Sequence, residues 1–317
     1  MKYRTLGNTG LEVSALSFGA SSLGSVFRDT DEGESIRTVH EAVDAGINLI
    51  DVSPYYGLTK AEAVLGKALV DIPRDRYYLS TKAGRYGADT FDFSRERIVS
   101  SVEESLARLH ADYIDILYLH DIEFVPEGVI LEEALPALQT LKEQGKIRFT
   151  GICGLPLAMF RSLLPRIEVD SIISYCHYSL NDTTLLTLLP LLGERGIGLV
   201  NASPLSMGLL SARGVPAWHP ADEEIRAACK AAAELCAARG ADIAKLAVQF
   251  STQNERIPTT LVSTANPANI RKNVAWLEED MDPELLQAVQ AILSSVKDRT
   301  WPSGRPEYNR GLEQGRG

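Results

Sequence analysis

Short apolar, strand-like stretches alternate with amphipathic, helix-like ones along the whole chain, and no other property of the sequence restricts the fold so tightly. Repeated strand–helix alternation is the pattern of βα units around a parallel sheet. Strand-like segments fall at residues 15–20, 48–53, 77–82, 114–120, 147–153, 171–177, 198–203 and 259–264. Helix-like segments answer them at 32–45, 60–70, 94–110, 132–144, 156–164, 182–194, 222–253 and 267–277. Local signals mark the boundaries: Gly46 stops the first helix, and Ser94 caps the third with Glu96 in its first turn. Eight strand–helix pairs within roughly 280 residues make an α/β fold, a (β/α)8 TIM barrel. An open dinucleotide-binding sheet is the rival. It usually carries a Gly-x-Gly-x-x-Gly turn after its first strand, and residues 15–24 lack that spacing.

Two additions lie outside the eightfold pattern. Residues 3–14, with a turn at Asn8-Thr9-Gly10, read as an N-terminal β-hairpin able to plug the bottom of the barrel. Residues 283–297 read as an extra C-terminal helix, followed by a Gly/Pro/Arg-rich tail over 300–317 that reads as a mobile cap or as disordered. No linker, low-complexity stretch or short repeat interrupts the chain, so one domain over residues 1–317 is expected.

A net charge of -10 with no basic cluster argues against binding a nucleic-acid backbone. No apolar run approaches the roughly 18 residues of a membrane span, and Met1-Lys2-Tyr3-Arg4 leads straight into folded-looking sequence. Cys153, Cys176, Cys229 and Cys236 are too few for a disulfide framework in 317 residues. Cys229 and Cys236, seven apart on an Ala-rich helix, read as buried thiols rather than metal ligands, and no metal site is expected. A cytoplasmic location fits these features.

Polar residues sit where the apolar strands end. Asp51 closes Ile47-Asn48-Leu49-Ile50, Lys82 closes Tyr77-Tyr78-Leu79-Ser80-Thr81, and His120 follows Ile114-Asp115-Ile116-Leu117-Tyr118-Leu119. In a parallel barrel those ends converge on the catalytic face. Tyr56 follows Asp51 in the run Asp51-Val52-Ser53-Pro54-Tyr55-Tyr56-Gly57. A free phenol has a pKa of about 10, too high for fast proton exchange near neutrality. An adjacent ammonium lowers it, and a carboxylate keeps the ammonium charged and oriented. Tyr56 is therefore expected to move the proton, Lys82 to tune it and Asp51 to anchor Lys82, with His120 orienting the reacting oxygen. His40 and His110 fall on helices and read as surface residues.

At this point the chain resembles the aldo-keto reductases over roughly residues 1–300. The carriers are Gly19, Asp51-x4-Tyr56-Gly57, Lys82, Leu119-His120 and Ser203-Pro204-Leu205. Within that family the likeness is greatest to the plant-type L-galactose dehydrogenases. It rests on Ser53-Pro54-Tyr55-Tyr56-Gly57, His120-Asp121-Ile122-Glu123-Phe124, Ser174-Tyr175-Cys176-His177-Tyr178 and Trp218-His219-Pro220. The resemblance implies a nicotinamide cofactor held without a glycine-rich loop. The positions it implies against the cofactor are Gly19, Ala20, Ser174, Ser203, Leu205 and Gly208. For the adenosine end they are Ser263, Thr264, Asn269 and Asn273. NADP-preferring relatives place a lysine and an arginine at the positions of Ser263 and Asn269, so NAD is expected, with Arg271 and Lys272 as the two cations able to reverse that preference. Three positions depart from the family pattern: Cys153-Gly154 replaces Ser-Asn, Tyr175 replaces a glutamine, and Ala202 replaces an aromatic residue.

Substrate contacts are expected from the loops after the strands: Arg85, Asp121, Glu123, Trp218 and His219, with Trp301 from the tail and His177 open between substrate contact and structure. Carboxylates, amides and a few aromatics suit a polyhydroxylated ligand. The implied reaction is NAD-dependent oxidation of an aldose at C1 to the aldonolactone, with L-galactose first and L-fucose or D-arabinose as alternatives. A general NADPH-dependent aldehyde reductase and a cofactor-sensing binding subunit are the other readings. The expected partner is a small sugar, with neither nucleic acid nor membrane, and the protein is expected to be a monomer or weak homo-oligomer.

Overall fold

The computed structural model describes residues 1–26, 28–215 and 217–310. A hairpin of β1 (Tyr3–Thr5) and β2 (Glu12–Ser14) precedes eight barrel strands. These are β3 (Leu16–Gly19), β4 (Leu49–Asp51), β5 (Tyr78–Ala83), β6 (Ile114–Leu119), β7 (Ile147–Gly154), β8 (Ser171–Tyr175), β9 (Gly198–Ala202) and β10 (Thr259–Ser263). They pair in parallel and in chain order, and β10 closes the barrel against β3. The expected (β/α)8 barrel with its hairpin is the observed fold, and every barrel strand lies within the expected segment or within one residue of it.

Two helix expectations shift. The helix expected at 132–144 starts earlier, at Glu127–Val129, and passes through a π-helical turn at Ile130–Ala134 before Leu135–Glu143. The segment expected at 182–194 opens as a 3-10 helix, Thr184–Leu188, ahead of Leu189–Arg195. In both, a proline (Pro136 or Pro190) is the second residue of the closing α-helical stretch, and its missing N–H and its ring disfavour a regular α-helical turn just before it.

Strand alternation sorts side chains into two layers. One set points outward against the helices, as Phe18, Ile50 and Leu79 do on one side and Leu117, Ile152 and Ile172 on the other. The other fills the barrel: Leu49, Ile116, Tyr118, Ile173, Val200 and Leu261. Leu6, Leu11 and Val13 of the hairpin join that inner cluster, so the hairpin does plug the barrel floor. Gly7 permits this approach; with φ at +54°, a side chain there would collide with the Gly198 backbone. Cys229 and Cys236 are free thiols buried in one cluster with the C-terminal helix Pro283–Leu293.

Candidate active site

Register explains why the polar residues meet. Asp51 pairs with Ser80, so Lys82 lies two residues beyond, on the same inner face. Ser80 Oγ donates to Asp51 Oδ1 at 2.8 Å, and Lys82 Nζ donates to Asp51 Oδ2 and to the Val52 carbonyl, the latter at 2.9 Å. Both charged residues are almost wholly buried. Lys82 Nζ lies 4.9 Å from the Tyr56 ring centre, and the Tyr56 and His120 rings meet edge to face at 5.7 Å. The four expected catalytic residues therefore form one cluster at the carboxyl ends of β4, β5 and β6.

Tyr56 is held by its backbone. Gly57, Leu58 and Thr59 all have positive φ, and a side chain at Gly57 would collide with the Gly24 carbonyl. Burial pushes the Tyr56 phenol above its ordinary pKa, and Lys82 only partly offsets this. The expectation of a net lowering is corrected here, because burial outweighs the ammonium, whose effect Asp51 also offsets. Lys82 stays charged: Asp51 and Tyr56 raise its pKa more than burial lowers it. His120 is driven well below the ordinary histidine value by burial, then by Lys82 and Arg85, and is neutral.

The loop residues divide. Arg85 Nη1 pairs with Asp121 Oδ2 at 2.5 Å, and its guanidinium lies 4.1 Å from the Tyr55 ring centre, beside Phe91 and Phe124. Asp121 lies 3.7 Å from His120 Nε2, so Arg85 and Asp121 are near neighbours of the cluster. Burial raises the Asp121 pKa against the pull of Arg85. Trp218 is exposed and stacks on His219.

Four of the expected substrate residues are buried among protein contacts, with His177 Nε2 left without a partner among the described residues. Glu123 is fully buried; Oε1 accepts from Leu155 N at 3.1 Å and Ser303 Oγ at 3.0 Å, and its carbonyl accepts from Arg305 N at 2.9 Å. Burial and Asp121 push its carboxyl up to about 8. His177 Nδ1 is taken by Asp182 and Thr184, both at 3.0 Å. His219 Nε2 donates to the Ser206 carbonyl and Nδ1 accepts from Ala221 N, both at 3.0 Å, which pins the loop after β9. Trp301 is buried in the C-terminal cluster. Residues 300–310 of the expected mobile tail are thus packed down, while 311–317 lie outside the described residues.

Small inner-facing residues line the adjoining rim of the barrel, Gly19 on β3, Ala202 on β9 and Ser263 on β10, with Gly19 the register partner of Asp51. Ala20 is buried just beyond Gly19. Ser203, Ser206 and Met207 have positive φ, as does Gly208, so the chain carrying Leu205 turns sharply over this rim. Ser263 Oγ is ringed by Ser21 Oγ, Ser22 N and Ser22 Oγ within 3.0 Å. Asn269 Nδ2 donates to Thr264 Oγ1 at 3.1 Å, near the start of the helix Pro267–Glu278 that carries Asn273. That start is capped from within: Asn266 Oδ1 accepts from Ala268 N at 2.8 Å and the Asn266 carbonyl accepts from Asn269 N at 3.1 Å. Ser174 is different. Its neighbours Ile173 and Tyr175 pack into the barrel interior, so it faces outward, and its buried hydroxyl has no partner among the described residues. Arg271 pairs with Glu41 at 2.5 Å and Lys272 with Asp242 at 3.2 Å.

Sequence reasoning passed over Ser53, Tyr55 and Ser80. The available signal was the period of two: Ser53 stands two after Asp51 and Ser80 two before Lys82. His120, Asp121 and Cys153 each offer one ligand-type atom within 4.8 Å of one another, but the Asp121 carboxylate is already occupied by Arg85.

Comparison with known proteins agrees with this architecture. The model of the aldo/keto reductase family matches residues 15–294. L-galactose dehydrogenase of Arabidopsis thaliana is 51% identical over 313 residues, covering 96% of this chain and 98% of that protein. D-arabinose 1-dehydrogenase of Saccharomyces cerevisiae is 39% identical over 256 residues, 75% of each chain. The solved holo structure of an aldo-keto reductase from Bacillus halodurans superposes with a TM-score of 0.77 at 27% identity, covering 98% of this chain and 100% of that one. The chain belongs to the aldo/keto reductase family, whose enzymes work with a nicotinamide cofactor.

Proposed function

We propose that the protein oxidises an aldose at C1 to the aldonolactone with NAD, and that L-galactose is its substrate. The observation that carries the reading is the buried Asp51–Lys82 pair set against Tyr56 and His120 beneath a polar mouth. The identity with the Arabidopsis L-galactose dehydrogenase over nearly the whole of both chains supports the choice of sugar. The rim at Gly19 and Ala202 has little side-chain bulk, which suits a flat nicotinamide ring, and the cluster around Ser263 and Asn269 suits the adenosine end.

Bound there, the cofactor supplies the two-electron acceptor for the hydrogen on C1. Tyr56 takes the proton of the anomeric hydroxyl. Lys82, fixed by Asp51, holds positive charge beside Tyr56 and favours the phenolate form that accepts this proton. His120, neutral and braced by both tyrosine rings, orients the sugar oxygen. Arg85 and Asp121 offer a donor and an acceptor to the hydroxyls, with Trp218 at the rim. NAD is favoured over NADP because Ser263 and Asn269 are uncharged and both nearby cations are engaged elsewhere.

The test is initial-rate measurement with L-galactose and NAD, following lactone and reduced cofactor together, on the wild type and Tyr56→Phe. The variant should lose about 10²–10⁴-fold in turnover while still binding cofactor. Retention of about a tenth of wild-type turnover would contradict the role of Tyr56.

A further inference from the structure

We propose that Ser53 is a positioning residue for the reaction: its hydroxyl fixes His120 in the tautomer with Nδ1 bare and Nε2 protonated, leaving an N–H free for the reacting oxygen. This rests on the reading that His120 meets that oxygen. Ser53 is fully buried, and its Oγ makes two contacts. It accepts from the Tyr55 backbone N at 3.1 Å and lies 2.9 Å from His120 Nδ1. The Tyr55 amide can only donate, so the hydroxyl proton must go elsewhere. Among the described residues the acceptor within reach is Nδ1. A proton on Nδ1 would strand the serine hydroxyl proton in a buried place with no acceptor.

The far side of the ring favours the same form. His120 Nε2 faces the Asp121 carboxylate at 3.7 Å, close enough for its charge to favour an N–H over a lone pair but too far for a hydrogen bond. The N–H is therefore unspent. Arg85 occupies Asp121 Oδ2 and holds the carboxylate back from the imidazole. Tyr55 and Tyr56 contact the ring edge-on at 5.8 and 5.7 Å and restrict its rotation. Ser53 thus decides which nitrogen carries the proton, while the aromatic rings decide where the ring lies.

The experiment combines ¹⁵N-histidine NMR of the full-length protein with steady-state kinetics of wild type and Ser53→Ala. His120→Gln identifies the His120 signals among the five histidines. The wild type should show His120 protonated at Nε2. In Ser53→Ala that preference should fade into a tautomer mixture, and kcat for aldose oxidation should fall in proportion to the Nε2–H population read by NMR, about twofold for an even mixture. Cofactor quench and KM should stay within about twofold. An Nδ1–H form in the wild type overturns the proposal. So does a Ser53→Ala enzyme that keeps the Nε2–H form, whether kcat is preserved or lost, because Ser53 would then act only as packing. Should the wild type oxidise no aldose with either cofactor, the functional reading falls, and the NMR signals still decide the role of Ser53.

Discussion

At the scale of single residues, the site is governed by how burial and charge divide the work. Burial raises the phenol of Tyr56, and Lys82 opposes it as part of an ion pair. Lys82→Met removes that opposition, so the phenol titrates higher still, and the rise of oxidation rate with pH should move to higher pH. The same change leaves Asp51 buried without its counter-ion, at a cost of about 3–5 kcal/mol. A pH–rate profile and a denaturant midpoint check both parts. A profile unmoved in pH, with only KM altered, would count against tuning by Lys82. Asp51, Lys82 and His120 were legible from sequence because each lies where an apolar strand ends, and Tyr56 because it follows Asp51 in the same run. The direction of the Tyr56 shift was not, because it depends on how completely the ring is enclosed.

Between elements, Glu123 joins the loop after β6, the end of β7 and the C-terminal segment through Leu155, Ser303 and Arg305. Its carboxyl is neutral in the folded protein up to about 8, against about 4.3 in an unfolded chain. The folded state therefore holds an extra proton between those values, and this contribution to stability is full below the lower value and lost as pH rises through the upper one. Glu123→Gln cannot ionise, so it should gain on the wild type as pH rises, by at most about 1.4 kcal/mol per unit. Thermal midpoints from pH 5 to 9 test this. A difference between the two proteins that is constant with pH would contradict it. The Gly- and Pro-rich composition of residues 300–310 suggested a mobile tail, because no sequence pattern announces that a distant buried carboxyl will hold it. Around β10, Ser263→Lys combined with Asn269→Arg should narrow or reverse an NAD preference of at least about tenfold. Equal efficiency of the wild type with both cofactors would mean that Arg271 or Lys272 leaves its partner to meet a phosphate.

At the scale of the whole molecule, the barrel was readable because strand–helix alternation is a long-range pattern that single-residue errors cannot erase. Its hairpin floor was read from the turn Asn8-Thr9-Gly10, and the structure adds that Leu6, Leu11 and Val13 make the contact with the barrel interior. The assignment of mouth residues was less legible. Polar side chains look alike in sequence whether they face a ligand, as Arg85 and Asp121 do in our reading, or pin a loop, as His219 does. The central claim is a pocket that selects an L-sugar, and it is tested by kcat/KM for L-galactose, L-fucose and D-galactose with NAD. L-galactose should be oxidised well. L-fucose, lacking one hydroxyl, should follow within about tenfold if that hydroxyl points to water. D-galactose should be poor, because its mirror-image hydroxyls cannot meet the same partners while C1 faces the nicotinamide. Equal efficiency on D-galactose and L-galactose would contradict the account.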